Sequence, residues 1–237
     1  GSSVSLIEFD LSRQGVPMNI TEYSSALSYN EDSFEQGIID YLCSEQGYEY
    51  LYGPEVARSS DAFDDAFLPD VLPSALESIN PSLGRRAIET AITQLKEIEG
   101  GSLVAKNRAF MDLLQNGVEV RWFDGKEDRT DLVRLVDFDR PERNTFHVVN
   151  QWTFIEQGTN KRPDVLVFVN GLPLVLFELK SPARAEADDA DAYQQIQNYK
   201  KQIPSLFVYN AFCVISDMLH TKVGTIPSNE SRFVEWK

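Results

Sequence analysis

Three side chains in the last third of the chain have the types and spacing for metal-assisted chemistry. Asp164 is followed, after thirteen residues, by Glu178, and Lys180 comes two positions later. Hard carboxylate oxygens on opposing strands suit Mg²⁺, which keeps several waters in its shell. A cation so held polarises a phosphoryl oxygen and lowers the pKa of a bound water. Lys180 stays charged beside anions, and can orient that water or offset charge building on a phosphate. The carbonyl of Leu179, between Glu178 and Lys180, is a further oxygen ligand. The same residues also read as a surface salt bridge at the end of a core hairpin, since strands often end in charges.

The element that must position them runs from Arg162 to Pro182, RPDVLVFVNGLPLVLFELKSP. Its two apolar runs, Val165 to Val169 and Leu174 to Leu179, read as a β-hairpin turning at Asn-Gly-Leu. Both runs are almost continuously apolar, so the hairpin belongs in the middle of a sheet covered on both faces. Register decides whether the acids meet. A two-residue loop at Asn170-Gly171 pairs Val169 with Leu172, sets Phe177 opposite Asp164 and sends Glu178 to the other face. A three-residue loop pairs Val169 with Pro173 and sets Glu178 opposite Asp164. The expectation is the odd loop, or a bulge with the same effect.

Elsewhere the chain is ordinary for a globular α/β protein of 237 residues, with 42% hydrophobic and 25% charged residues. Gly1-Ser2-Ser3 reads as an expression scar. No signal peptide follows it, and no apolar run reaches transmembrane length, since Asn170, Gly171 and Pro173 interrupt the longest. These features imply a cytoplasmic protein with no membrane partner. Cys43 and Cys213 read as two buried free thiols. Two histidines without an HExxH pattern leave a zinc hydrolase without support, and the lack of a GxxxxGK[ST] loop places any ATP-driven chemistry outside this chain.

In chain order, the patterning predicts a helix from Asn30 to Gly47 with a Ser33/Gln36 capping box and an apolar face of Phe34, Ile38, Tyr41 and Leu42. A strand at Tyr48 to Tyr52 follows, then an acidic loop at Ser59 to Leu72 carrying Asp61, Asp64, Asp65 and Asp70. Helices are expected at Pro81 to Ile98, where Arg85 and Arg86 are phosphate-contact or salt-bridge candidates, and at Lys106 to Asn116. Strands are expected at Gly117 to Phe123, Thr130 to Asp137 and Thr145 to Ile155, the last holding His147 as a hydrogen-bonded core residue. Beyond the hairpin come a helix at Ala183 to Gln202 and a strand at Leu206 to Ser216. His220 is expected to be exposed. Phe233 and Trp236 either dock back on the domain or begin a connection. Gln195 and Tyr199, four apart, share one face of the helix, with Gln194, Gln197 and Lys200 on rival faces.

Asp164 and Glu178-Leu179-Lys180, with Pro163, resemble the PD-(D/E)xK nuclease signature. Together with EDSFEQGIIDYL, FHVVNQWTF and QIQNYKKQIP, the chain from about Asn30 resembles the N-terminal nuclease domain of the restriction (motor) subunit, HsdR, of type I restriction-modification enzymes. The resemblance implies a restriction-endonuclease-like α/β fold, a mixed central sheet flanked by helices. It implies Mg²⁺-dependent cutting of double-stranded DNA, with Mn²⁺ as a possible substitute. It adds Glu35, in its FEQ context, as an acid approaching the metal, against the alternative of a solvent-exposed first-turn glutamate. It gives Gln195 and Tyr199 a supporting role in catalysis, against that of an amphipathic helix with a tyrosine packed at its rim. It also implies motor domains in the same subunit, which use ATP, and separate modification and specificity subunits.

The domain division expected is an arm over residues 1–29, the nuclease domain over 30–220, and a connection toward motor domains over 221–237. A formal net charge of -15 counts against unaided DNA binding. The resemblance resolves this if other parts of the enzyme hold the DNA. The acidic balance otherwise favours a non-catalytic docking module, and a related metal nuclease of repair or another restriction class is the third reading.

Overall fold

The computed structural model describes residues 31–58, 63–180, 189–216 and 220–235. The expected N-terminal arm, Asp61, the first turns of the helix predicted from Ala183, and Trp236 lie outside these residues. The described chain folds as α1 (Glu31–Ser44), β1 (Glu49–Tyr52), α2 (Val71–Ile79), α3 (Arg85–Lys96), α4 (Leu103–Asn116), β2 (Val118–Phe123), β3 (Asp128–Val133), β4 (Phe146–Asn150), β5 (Phe154–Glu156), β6 (Thr159–Lys161), β7 (Val165–Val169), β8 (Leu172–Leu179), α5 (Asp189–Gln202), α6 (Pro204–Phe207), β9 (Phe212–Ser216), β10 (Thr221–Gly224) and β11 (Val234–Glu235).

Seven strands make one mixed sheet in the order β1-β4-β7-β8-β9-β10-β11; β2-β3 and β5-β6 are separate two-stranded ribbons. Strands β1/β4 and β8/β9 pair in parallel, and β7 runs antiparallel to both its neighbours, β4 and β8. Every residue of β7 is buried, as are all of β8 but the half-buried Phe177, so the hairpin is covered on both faces as its apolar runs require. Helices flank the sheet, the restriction-endonuclease-like arrangement expected.

Several elements depart from the sequence reading. Helix α2 begins in the last two residues of the expected acidic loop and runs on to Ile79, where no helix was expected. Pro73 sits in its first turn, where a missing N–H costs no hydrogen bond, and Leu72, Ala75, Leu76 and Ile79 are buried. Helix α1 begins before Ser33, and Gln36 Nε2 donates to Asp40 at 2.8 Å instead of reaching back to a cap. Its buried face uses Ile39 and Leu42, and Tyr41 stays exposed. The run expected as one strand from Leu206 is first a short helix: Pro204 opens α6, and β9 starts only at Phe212. A continuous buried apolar run does not by itself distinguish helix from strand. The strand expected over Thr145 to Ile155 breaks after Asn150, where Gln151 takes φ 53°, and resumes in the β5-β6 ribbon.

A domain boundary at residue 220 does not coincide with an edge of the sheet, because β10 and β11 extend it. Phe233 docks back on the domain, nearly perpendicular to Tyr193 with ring centroids 5.5 Å apart. Cys213 is buried and Cys43 half-buried, and both are free. His147 is buried with Nε2 3.3 Å from Glu49 Oε2, and His220 is exposed. No helix among the described residues is long and apolar enough to cross a membrane.

Candidate active site

The turn of the central hairpin is the two-residue Asn170-Gly171 loop, with φ of 51° and 83°. Two positive φ values are what an Asn-Gly turn of the primed type supplies. It is also a buried anchor. Asn170 Nδ2 donates to the Leu135 carbonyl at 2.9 Å and to Asn144 at 2.8 Å, and its Oδ1 accepts from the Thr145 N–H at 2.8 Å. The Gly171 carbonyl accepts from the Leu68 N–H.

This loop alone would set Phe177 opposite Asp164. A β-bulge corrects the register. Val169 pairs with Leu172 and Phe168 with Pro173, but Val167 pairs with Val175, leaving Leu174 as the extra residue. Its carbonyl is satisfied from the side by the Ala211 N–H at 2.7 Å, at the entry to β9. The ladder ends at Val165↔Phe177, a register that sets Asp164 level with Glu178. Of the two routes expected, the bulge is the one used.

The consequences are visible in the hydrogen bonds. Asp164 Oδ2 accepts from the Leu179 N–H at 2.8 Å, tying the two strand ends together. Glu178, only 3% exposed, has Oε1 3.0 Å from Lys180 Nζ. The Lys180 N–H donates to the Ser216 carbonyl at 2.9 Å, so β9 braces the residue that carries the ammonium. Two carboxylates and one ammonium leave a net negative charge at a partly buried site, which favours a compensating cation or hydrogen-bond donors.

Helix α5 supplies donors. Tyr199 is buried at 4% exposure, and burial pushes its hydroxyl above the usual tyrosine range. The neighbouring charges of Glu178 and Asp164 and a hydrogen bond to Glu178 push the same way, while a hydrogen bond with Gln195 opposes them. Tyr199 therefore remains a neutral donor beside the carboxylates. Of the rival faces, Gln194 is exposed and bonds Asn198, and Lys200 Nζ donates to the Ile226 carbonyl at 2.8 Å. The Gln195/Tyr199 face is the one turned to Glu178.

Glu35 is held differently. Its Oε1 accepts from Asn150 Nδ2 at 2.6 Å, and Asn150 Oδ1 accepts from the Tyr50 hydroxyl at 2.9 Å. Asn150 is the Cα partner of Val165, the neighbour of Asp164, so Glu35 lies at the same end of the sheet. Strand alternation puts Asn150 and Val165 on the face opposite to Asp164 and Glu178. Accordingly, no group of three or more His, Cys, Asp or Glu side chains able to hold a metal forms among the described residues. Asn150 and Tyr50 were not singled out in the sequence; the one signal was a polar residue closing the apolar run FHVVN.

Two acidic side chains with nearby backbone oxygens fit a magnesium-like ion, which uses one or two carboxylates and fills its shell with waters and substrate oxygens. They match zinc less well, since its sites draw chiefly on His nitrogen and Cys sulfur. Asp164 and Glu178 would hold such an ion, with the Leu179 carbonyl next along the strand.

The chain has known relatives. Residues 28–232 match the family described as the type I restriction enzyme R protein N terminus. The chain belongs to this family. Among R protein relatives, it is 37% identical over 214 residues to the type I restriction enzyme HindI endonuclease subunit of Haemophilus influenzae, covering 88% of this chain and 20% of that protein. It is 31% identical over 218 residues to a putative type I restriction enzyme MjaIXP endonuclease subunit of Methanocaldococcus jannaschii, covering 90% and 21%. This R protein N terminus thus spans about a fifth of the length of these relatives.

Proposed function

We propose that this domain hydrolyses phosphodiester bonds of double-stranded DNA with Mg²⁺, as the cutting centre of a type I restriction subunit. The observation that carries the reading is the Leu174 bulge, which turns the register so that Asp164 faces Glu178 with Lys180 3.0 Å from the latter. A bound Mg²⁺ would supply Lewis acidity and a more acidic water. Asp164 and Glu178 are its ligands, with the Leu179 carbonyl. Glu35, bonded to Asn150 on the opposite face, is not placed among the ligands. Lys180 orients the attacking water and offsets charge on the phosphate. Tyr199, itself hydrogen-bonded to Gln195, holds the Glu178 carboxylate in place.

Family membership favours this task over DNA repair. The subunit would act in the cytoplasm with motor domains of its own chain, which use ATP, and with modification and specificity subunits that choose the DNA. A net charge of -15 favours one other reading, a non-catalytic docking module. Lys180→Ala in the full enzyme separates them. The fold should persist and cleavage should fall by a factor of about 10² or more, the usual loss for one electrostatic group of this kind. Near-normal cleavage would overturn the catalytic role.

A further inference from the structure

Resting on the nuclease reading, we propose that Arg162 is a phosphate-binding residue that grips the DNA backbone one phosphate away from the bond being cut. The β5-β6 ribbon is the connection from the end of β4 to the start of β7, so it stands at the sheet end that carries Asp164. Arg162 follows its last strand residue and precedes Asp164 by two positions, about 7 Å along an extended chain. That offset lets a guanidinium contact a phosphate neighbouring the one over the acids.

The mount is rigid. Phe154 is fully buried and is the Cα partner of Lys161. The Ile155 N–H donates to the Phe63 carbonyl at 3.0 Å. The Glu156 carboxylate accepts from the Ser205 N–H at 3.0 Å and from its hydroxyl at 2.7 Å. Pro163 is buried and fixes the backbone just past Arg162, yet the Arg162 side chain is exposed.

Several other arginines are already engaged. Arg85, Arg129, Arg134 and Arg143 each lie within 3.3 Å of a carboxylate. Arg86 donates to the Phe123 carbonyl at 3.3 Å. Arg162 has no such partner among the described residues; the same holds for Arg108, Arg121 and Arg232, but of these Arg162 alone lies two positions from Asp164. Beside a site of net negative charge, in a chain of net charge -15, a polyanion approaches only where a local cation receives it. The planar guanidinium fork is suited to phosphate oxygens, and two parallel bonds give orientation as well as attraction.

The test is the salt dependence of DNA binding by the full-length subunit that carries this domain, read by fluorescence anisotropy with a short labelled duplex and Ca²⁺ in place of Mg²⁺. Arg162→Ala should weaken binding severalfold and reduce the slope of log K against log salt by about 1. Arg162→Lys should keep the slope and lose less affinity, and circular-dichroism melts should be unchanged in both. A wild-type slope in Arg162→Ala overturns the proposal. Cleavage by the assembled enzyme carrying Asp164→Asn tests the underlying reading separately. Persisting cleavage there would sink the nuclease assignment while leaving a reduced slope in Arg162→Ala intact as a phosphate contact.

Discussion

Gly171→Ala tests the part of the fold that sets the register of the site. Gly171 adopts φ +83°, a conformation in which an L side chain costs about 1–2 kcal/mol. A Cβ there would also stand 2.7 Å from the Leu72 backbone nitrogen and 2.9 Å from its Cα. Those are backbone atoms at the start of α2, and the Gly171 carbonyl already accepts from Leu68, so they cannot swing aside as a side-chain tip does. Overpacking of this kind adds about 1–3 kcal/mol. Together the loss is about 2–5 kcal/mol, a large part of the stability of an ordinary domain. Urea denaturation followed by circular dichroism measures it. Gly37→Ala is the matched control: it lies in α1 with nothing within 4 Å of a Cβ, and should stabilise by about 1 kcal/mol. A change below about 0.5 kcal/mol in Gly171→Ala would refute the reasoning that this close approach fixes the hairpin against α2.

Tyr199→Phe removes the hydroxyl bonded to Glu178 and Gln195, and should lower both Mn²⁺ affinity, read by calorimetry, and cleavage by about 10-fold or more. Unchanged affinity would confine Tyr199 to packing. Asn150→Ala strips the amide from Glu35 and the acceptor from Tyr50, and should cost about 1–3 kcal/mol in urea melts. A double-mutant cycle with Glu35→Gln should show coupling, and strict additivity would contradict the bond. Burial holds the His147 pKa below its ordinary 6.5, against the opposing pull of Glu49. The unfolded chain therefore binds the proton more readily, and the stability His147 confers is full above about pH 6.5 and is lost as pH falls through its folded value. His147→Gln should flatten the decline of stability between neutral and mildly acid pH; an unaltered slope would show that His147 does not set it.

The two acids, the lysine and the central hairpin were legible because alternation and turn chemistry are local. Asn-Gly announced the turn, and the apolar runs announced burial on both faces. The register was legible only as a pair of options, since the bulge at Leu174 depends on Ala211, a partner 37 positions away that no local pattern reveals. Glu35 and Asn150 show the same limit across 115 positions. Helix α2 was missed because Pro73 reads as a breaker unless its place in the first turn is known, and α6 because a buried apolar stretch looks alike as strand or helix. Gln195 and Tyr199 were separable from their rival faces only by the resemblance, and the structure turns that face to Glu178 through packing of α5 on the sheet.

The most direct measurement is anomalous diffraction from crystals of this chain soaked in Mn²⁺. The account predicts a peak between the carboxylates of Asp164 and Glu178, with the Leu179 carbonyl in reach and Lys180 beside it. A well-ordered site that shows no peak, with the two carboxylates facing apart, would contradict it.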